Sequence, residues 1–99
     1  MTENVIYIGK KDTMSYVSAV TIQALQKDSL VLRARGTAIK KAVDVSQIVI
    51  DRFLKNWKVR NINIGTEELV TSTTETDKEK AKTQTIRVSY IEIEMKKEG

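Results

Sequence analysis

The sequence contains neither cysteine nor histidine. Without thiols there is no disulfide framework, and zinc sites built on Cys or His are excluded. Ser–His and Cys–His nucleophilic pairs go with them. The carboxylates are scattered and show no calcium-loop spacing. Long apolar runs are also missing. The longest uncharged stretch, Thr13 to Gln26, is too short to span a bilayer and is interrupted by Ser15, Ser18, Thr21 and Gln23. No basic region followed by an apolar stretch opens the chain, so no signal peptide is expected and a cytoplasmic location is the default. Aromatic residues are few (one Trp, three Tyr and one Phe), which argues against recognition of single strands by base stacking.

What remains is 99 residues with an ordinary apolar content. A chain of this length buries roughly 60–65% of its unfolded surface, enough for a single domain over 1–99 with a thin core. The net charge is +4 and unevenly placed. Residues 1–60 carry eleven Lys/Arg against five Asp/Glu, a net +6; residues 61–99 carry six against eight, a net −2. Clustered positive charge attracts phosphates and releases their counterions, so a polyanion is a plausible partner. A well-solvated surface is the alternative reading of the same numbers.

Asn4 to Ile8 is a β-branched and aromatic run ended by Gly9, and reads as a buried strand. Asp12 or Thr13 can cap a helix whose apolar stripe is Met14, Val17, Val20, Ala24 and Leu25, ending at Lys27-Asp28. Leu30 to Arg35 alternates as a strand does, with Leu30, Leu32 and Ala34 on one face. After Gly36, Thr37 can cap a second helix reaching about Leu54. That helix has two apolar stripes: Ile39, Ala42, Val43, Ile50 and Phe53, and then Val45, Ile48 and Val49. Its own sheet can cover only one, so the excess points to a second subunit. Val59–Ile64 is a third strand with Ile62 and Ile64 inward, and a fourth runs from about Thr85 to Met95. The fourth changes phase between Tyr90 and Ile91, which predicts a bulge or a change of environment near Ser89–Tyr90, with Gly65 as the matching point on the third strand. Beyond these points the two strands should leave the body as a hairpin arm. Its Thr-, Glu- and Lys-rich tip, about 71–82, is expected to be mobile. The fold class is therefore an α/β two-layer sandwich in the order β-α-β-α-β-β, with a long arm between the last two strands.

Two strand-to-helix loops are basic. Gly9-Lys10-Lys11 precedes the first helix, where free N–H groups and the helix dipole suit an anion. It is not a P-loop, because the upstream glycine is missing and Lys11 stands where Ser or Thr would be. Arg33-Ala34-Arg35-Gly36 precedes the second helix. Both arginines leave one strand face, and their forked donors match phosphate. Gly36 would let a ligand approach the backbone. Both loops lie at one end of the sheet and should converge. Lys40 and Lys41 oppose the dipole of the second helix, so a local stability motive for them is absent. On the arm, Lys78, Lys80 and Lys82 are interleaved with Asp77 and Glu79, leaving Arg87 as the better candidate. Trp57 reads as a packing residue. Taken alone, each of these charges is also compatible with simple solvation.

The segments Ile8-Gly9-Lys10-Lys11 with Met14-Ser15-Tyr16-Val17, Arg33-Ala34-Arg35-Gly36, Ala38-Ile39-Lys40-Lys41-Ala42-Val43-Asp44, Arg52-Phe53-Leu54, Val70-Thr71-Ser72 and Arg87 to Ile93 together form a recognisable pattern. In this order and spacing the chain resembles the Alba family of archaeal chromatin proteins over nearly its whole length. The resemblance implies a fold like the C-terminal domain of bacterial initiation factor three. It implies a homodimer that coats double-stranded DNA, associates with the chromosome and also binds RNA. Phosphate contacts would fall to Lys10, Lys11, Arg33, Arg35, Lys41 and Arg87, with the arms reaching along the minor groove. Phe53 would mediate contacts between dimers, and the pair Lys10 and Lys11 would be a site of acetylation, which removes charge. Two departures stand out: Thr37 replaces a residue that is basic in many members, and the arm tip carries an insertion with Glu75, Asp77 and Glu79.

Three functions compete. The first is architectural, sequence-independent binding of double-stranded DNA; the second is RNA binding, as part of a ribonucleoprotein. Loops that read backbone do not choose between them. The third is a metal-dependent phosphoester hydrolase. For that reading no general base of suitable pKa is evident, and no two acids fall at a spacing that demands convergence. The sequence is therefore read as a binder without catalytic residues, metal or cofactor.

Overall fold

The computed structural model describes residues 4–73 and 82–98. Strand β1 covers Val5–Tyr7, helix α1 Thr13–Gln23 and strand β2 Ser29–Arg35. A 3-10 turn at Gly36–Ala38 leads into helix α2, Ile39–Ile48, which ends in a π-helical turn at Val49–Phe53. Strands β3, Trp57–Thr73, and β4, Lys82–Lys97, complete the chain. The four strands form one sheet in the order β1-β2-β4-β3, with β1 parallel to β2 and the other pairs antiparallel. The expected two-layer α/β sandwich is present, with β4 inserted between β2 and β3.

Alternation decides which sheet face meets the helices. Leu30, Leu32 and Ala34 of β2 and Ile91, Ile93 and Met95 of β4 are buried, while Arg33, Arg35, Tyr90, Glu92 and Glu94 take the intervening positions. From the helical layer come Val17, Val20 and Ala24, then Ala42, Val45 and Val49, with Ile8 and Trp57 closing the ends. Truncating Leu32 or Ile93, each at most 2% exposed, would cost about 2–5 kcal/mol. Trp57, also 2% exposed, is the packing residue the sequence led us to expect. Among the described residues, the one buried polar side chain, that of Ser46, donates its hydroxyl to the Val43 carbonyl at 2.8 Å.

Several local expectations are corrected. Helix α1 stops at Gln23, short of the expected end at Lys27-Asp28; Met14, and Leu25 in the turn that follows, are exposed, and only Val17, Val20 and Ala24 of the predicted stripe reach the core. On α2 the core stripe is Ala42, Val45 and Val49, whereas Val43 and Phe53 stay exposed. Ala42 thus belongs with the second predicted stripe, because a 3-4 spacing holds one face and the π-turn shifts the residues after Ile48. That turn is marked by the Leu54 N–H donating to the Val49 carbonyl at 2.7 Å. Thr37 is no cap: it lies inside the 3-10 turn, and α2 starts without a side-chain cap. Strand β1 lies at a sheet edge, with Tyr7 70% exposed, rather than buried throughout. Ile62 and Ile64 occupy the helix-side face of β3 but are 53% and 76% exposed, because the helices do not reach that edge.

The phase change in β4 has its physical origin in the end of β2. Strand β2 pairs with β4 from Ser29↔Lys96 to Arg35↔Tyr90 and then turns away at Gly36. Past Gly65↔Tyr90, β3 and β4 pair only with each other, through to Thr73↔Lys82. The register is unbroken at Ser89–Tyr90, so the change there is one of environment. The bulge lies elsewhere, at Arg60, between the pairs Val59↔Met95 and Asn61↔Glu94. The paired arm extends further than expected, and much of the tip predicted to be mobile, residues 74–81, lies outside the described residues. Principal extents of 60 × 24 × 23 Å reflect the projecting arm.

Gly65 sits opposite Tyr90, whose ring lies against the glycine. A Cβ at position 65 would come within 2.7 Å of the Tyr90 hydroxyl oxygen.

Candidate nucleic-acid interface

Strand β1 delivers the chain to Ile8, which is buried and whose N–H donates to the Arg33 carbonyl at 2.8 Å. The next three residues, Gly9-Lys10-Lys11, leave the sheet before α1 begins. Tyr16 lies one turn into α1, and helical side chains lean toward the N-terminus. Its hydroxyl oxygen therefore reaches back to accept from the Gly9 N–H at 2.9 Å and the Lys11 N–H at 3.1 Å. From the other side, the Lys41 ammonium donates to the carbonyls of Gly9, at 3.1 Å, and Lys11, at 2.6 Å. The same ammonium stands 6.0 Å from the centre of the Tyr16 ring. The loop's amides and carbonyls are thus clamped by two side chains from two helices.

The Tyr16 phenol is held below its ordinary pKa, first by the Lys11 N–H and then by the Gly9 N–H and the charges of Lys41 and Lys11, while burial opposes them. The Gly9 and Lys11 amides are already engaged by Tyr16. The lysine side chains are consequently what this loop presents to an anion, more than the cradle of free amides expected from its position.

Gly36 ends β2 with φ +58°, the left-handed region that glycine enters without steric cost. This gives it a conformational reason beyond the close approach of a ligand that the sequence implied. The turn brings Arg35, Thr37 and Ala38 beside the clamped loop. One open hollow is lined by Ile8, Gly9, Lys10, Arg35, Thr37, Ala38 and Lys41. The two basic loops therefore converge, and Lys10, Arg35 and Lys41 surround one concavity. Lys11, next in the chain, is exposed but does not line it.

The remaining candidates lie elsewhere. Arg33 is on the open sheet face, in ion pairs with Glu92 at 2.5 Å and with Glu67, its guanidinium 4.6 Å from the centre of the Tyr90 ring. Arg35 also reaches Glu67, at 3.4 Å. Lys40 turns to Asp44, 2.8 Å away and four residues on, and that hydrogen bond with the carboxylate charge raises its pKa. Arg87 is exposed on the arm, opposite Glu68 and three residues beyond the end of the body. Phe53, half exposed in the π-turn, lines a separate apolar hollow with Met14, Val17, Ser18, Thr21 and Ile22.

Tyr16, Glu67 and Glu92 were not singled out from the sequence. Tyr16 offered a weak signal, a hydroxyl-bearing aromatic four residues after the Asp12 cap position. Glu67 offered none, since it meets Arg33 across 34 residues of chain. Among the described residues, no group of three acidic, His or Cys side chains is placed to hold a metal ion. The arrangement is suited to binding an anion through fixed cations.

Comparison with known proteins agrees with this geometry. Residues 4–66 match the Alba family model. A DNA/RNA-binding protein Alba from Methanocella arvoryzae is 38% identical over 96 residues, covering 96% of this chain and 91% of its own. One of the same description from Methanococcus maripaludis is 39% identical over 69 residues, 68% of this chain and 78% of its own. The solved structure of Alba from Thermoplasma volcanium superposes with a TM-score of 0.78 at 35% identity, covering 95% of this chain and all of that one. With a β-α-β-α-β-β sandwich, two converging basic loops and relatives matched over both, the chain belongs to the Alba family.

Proposed function

We propose that this protein binds nucleic acid as a homodimer, with little regard to sequence, and coats double-stranded DNA to organise chromatin. The observation that carries the reading is the convergence of Lys10, Arg35 and Lys41 on one hollow. Such an arrangement neutralises backbone phosphates and carries no base information. The descriptions of the relatives name both DNA and RNA, so RNA binding is the second reading. The chain acts by binding alone and needs no cofactor.

The homodimer is supported by apolar surface that this chain leaves uncovered. Ile62 and Ile64 on β3 and Val43 on α2 are all at least 40% exposed. Beside them an open hollow is lined by Ile39, Ile64, Gly65, Thr66, Ser89, Tyr90 and Ile91. A second copy is the natural cover for this face. Phe53, in its own apolar hollow at the far end of α2, would join neighbouring dimers along the nucleic acid. Arg87 would follow a groove from the arm. Acetylation of Lys10 or Lys11, both exposed, would weaken binding by removing charge.

The test is crosslinking in cells followed by recovery of the bound nucleic acid, combined with binding in vitro to two unrelated duplexes and an RNA of matched length. Similar affinity for both duplexes, with DNA predominating among the crosslinks, is expected. Predominantly RNA crosslinks would establish the second reading. Affinity for one duplex alone would overturn sequence-independent binding.

A further inference from the structure

We propose that Glu67 is an internal counter-ion that competes with phosphate for Arg33 and Arg35, and so restrains nucleic-acid binding. The inference rests on the nucleic-acid-binding reading above and deepens it. Glu67 lies two residues past Gly65, where β3 has left the body. Its side chain returns to the sheet face of β2. One carboxylate oxygen, Oε2, meets Arg33 Nη2, and the other, Oε1, meets Arg35 Nη1 at 3.4 Å. A single carboxylate thus bridges two guanidinium groups. It takes the donors that would otherwise form paired bonds to a phosphate.

The two arginines are held unequally. Arg33 has carboxylates on both terminal nitrogens, Glu92 on Nη1 and Glu67 on Nη2, and lies against Tyr90; its side chain is 19% exposed. Arg35 is 50% exposed, has the longer contact to Glu67 and also lines the basic hollow. Arg35 can therefore exchange Glu67 for a phosphate with little disturbance, whereas Arg33 must give up a more sheltered pair. An incoming phosphate must also approach the Glu67 charge itself. Like charges at this range repel, and solvent screens them only partly because the Glu67 side chain is 28% exposed.

The experiment compares wild type, Glu67→Gln and Glu94→Gln by salt titration of binding to one short duplex and one RNA. Glu94 is a fitting control. It sits on the same sheet face, across from Asn61, and removing it changes the net charge equally without touching the bridge. Thermal melts check that each variant folds. Glu67→Gln is expected to bind about three- to tenfold more tightly at low salt. The slope of log K against log salt should steepen by up to about one unit on the duplex, because another arginine becomes free to release a counterion. Glu94→Gln should stay close to wild type. Equal effects of the two variants would reduce Glu67 to general charge and overturn the proposal. Weaker binding by a folded Glu67→Gln would overturn it as well, showing that the bridge holds the arginines ready for phosphate. Wild type binding neither strand type at low salt would overturn the nucleic-acid reading, and this inference with it.

Discussion

The Tyr16 hydroxyl and the Lys41 ammonium hold the Gly9–Lys11 loop from opposite sides, one accepting from its amides and the other donating to its carbonyls. A loop that would otherwise be loose is fixed on both edges. Lys10 and Lys11 then project from a defined backbone, which lowers the entropy lost when they meet an anion.

Tyr16→Phe removes the acceptor and keeps the ring. Stability should fall slightly, since the Gly9 and Lys11 amides lose their shared acceptor but can turn to water. Affinity for nucleic acid should fall while the salt slope stays unchanged, because no cation is lost. Ultraviolet-monitored titration of the wild type should show one tyrosine ionising below the ordinary value of 10.0, a component absent from the variant. A shallower salt slope in Tyr16→Phe would mean that the hydroxyl does more than hold the loop.

Replacing Lys10 and Lys11 together by Ala should make the salt slope on duplex DNA shallower by up to about two units. Affinity should drop alike on two unrelated duplexes. Both side chains are exposed, so the melting temperature should barely move. An unchanged slope with unchanged affinity would show the pair to be solvated charge alone, and a loss confined to one duplex would indicate base readout.

Sedimentation at micromolar concentration should give a dimer. Ile62→Lys together with Ile64→Lys should shift it to monomer, because charge would be placed where the uncovered apolar edge needs a partner. Neither residue belongs to the core of one chain, so the variant should remain folded. A wild-type monomer at that concentration would refute the assignment.

Gly65→Ala should destabilise the protein by about 1–3 kcal/mol or drive the Tyr90 ring from its site, since the new Cβ would stand 2.7 Å from the Tyr90 hydroxyl. Tyr90→Ala in the same chain should recover most of that loss. A double variant less stable than the sum of the two single effects would contradict the steric cause.

Much of this molecule was legible in the order of its residues. The apolar alternation of Leu30, Leu32 and Ala34 gave β2 its inward face, and the phase change at Tyr90–Ile91 located the base of the arm. Gly9-Lys10-Lys11 and Arg33-Ala34-Arg35-Gly36 marked two loops that do meet, although Arg33 itself stays on the open sheet face with its carboxylates. These are local signals, set by side-chain alternation and by glycine's access to positive φ, and they act within a few residues of where they are written. Other features followed only from packing. Ile62 and Ile64 were expected inward because alternation specifies a face, yet only the reach of the helices decides whether that face is covered. The bulge at Arg60 was missed, because a register shift depends on how two distant strands settle against each other. The Tyr16 half of the clamp is local, seven and five residues from Gly9 and Lys11, but the Lys41 half and the bridge from Glu67 to Arg33 and Arg35 join residues that the chain keeps 30 to 34 positions apart. Composition and spacing could supply the cations. Which of them face an open hollow and which are already answered by a carboxylate was decided by tertiary structure, because ion pairs depend on distance in space and not along the chain.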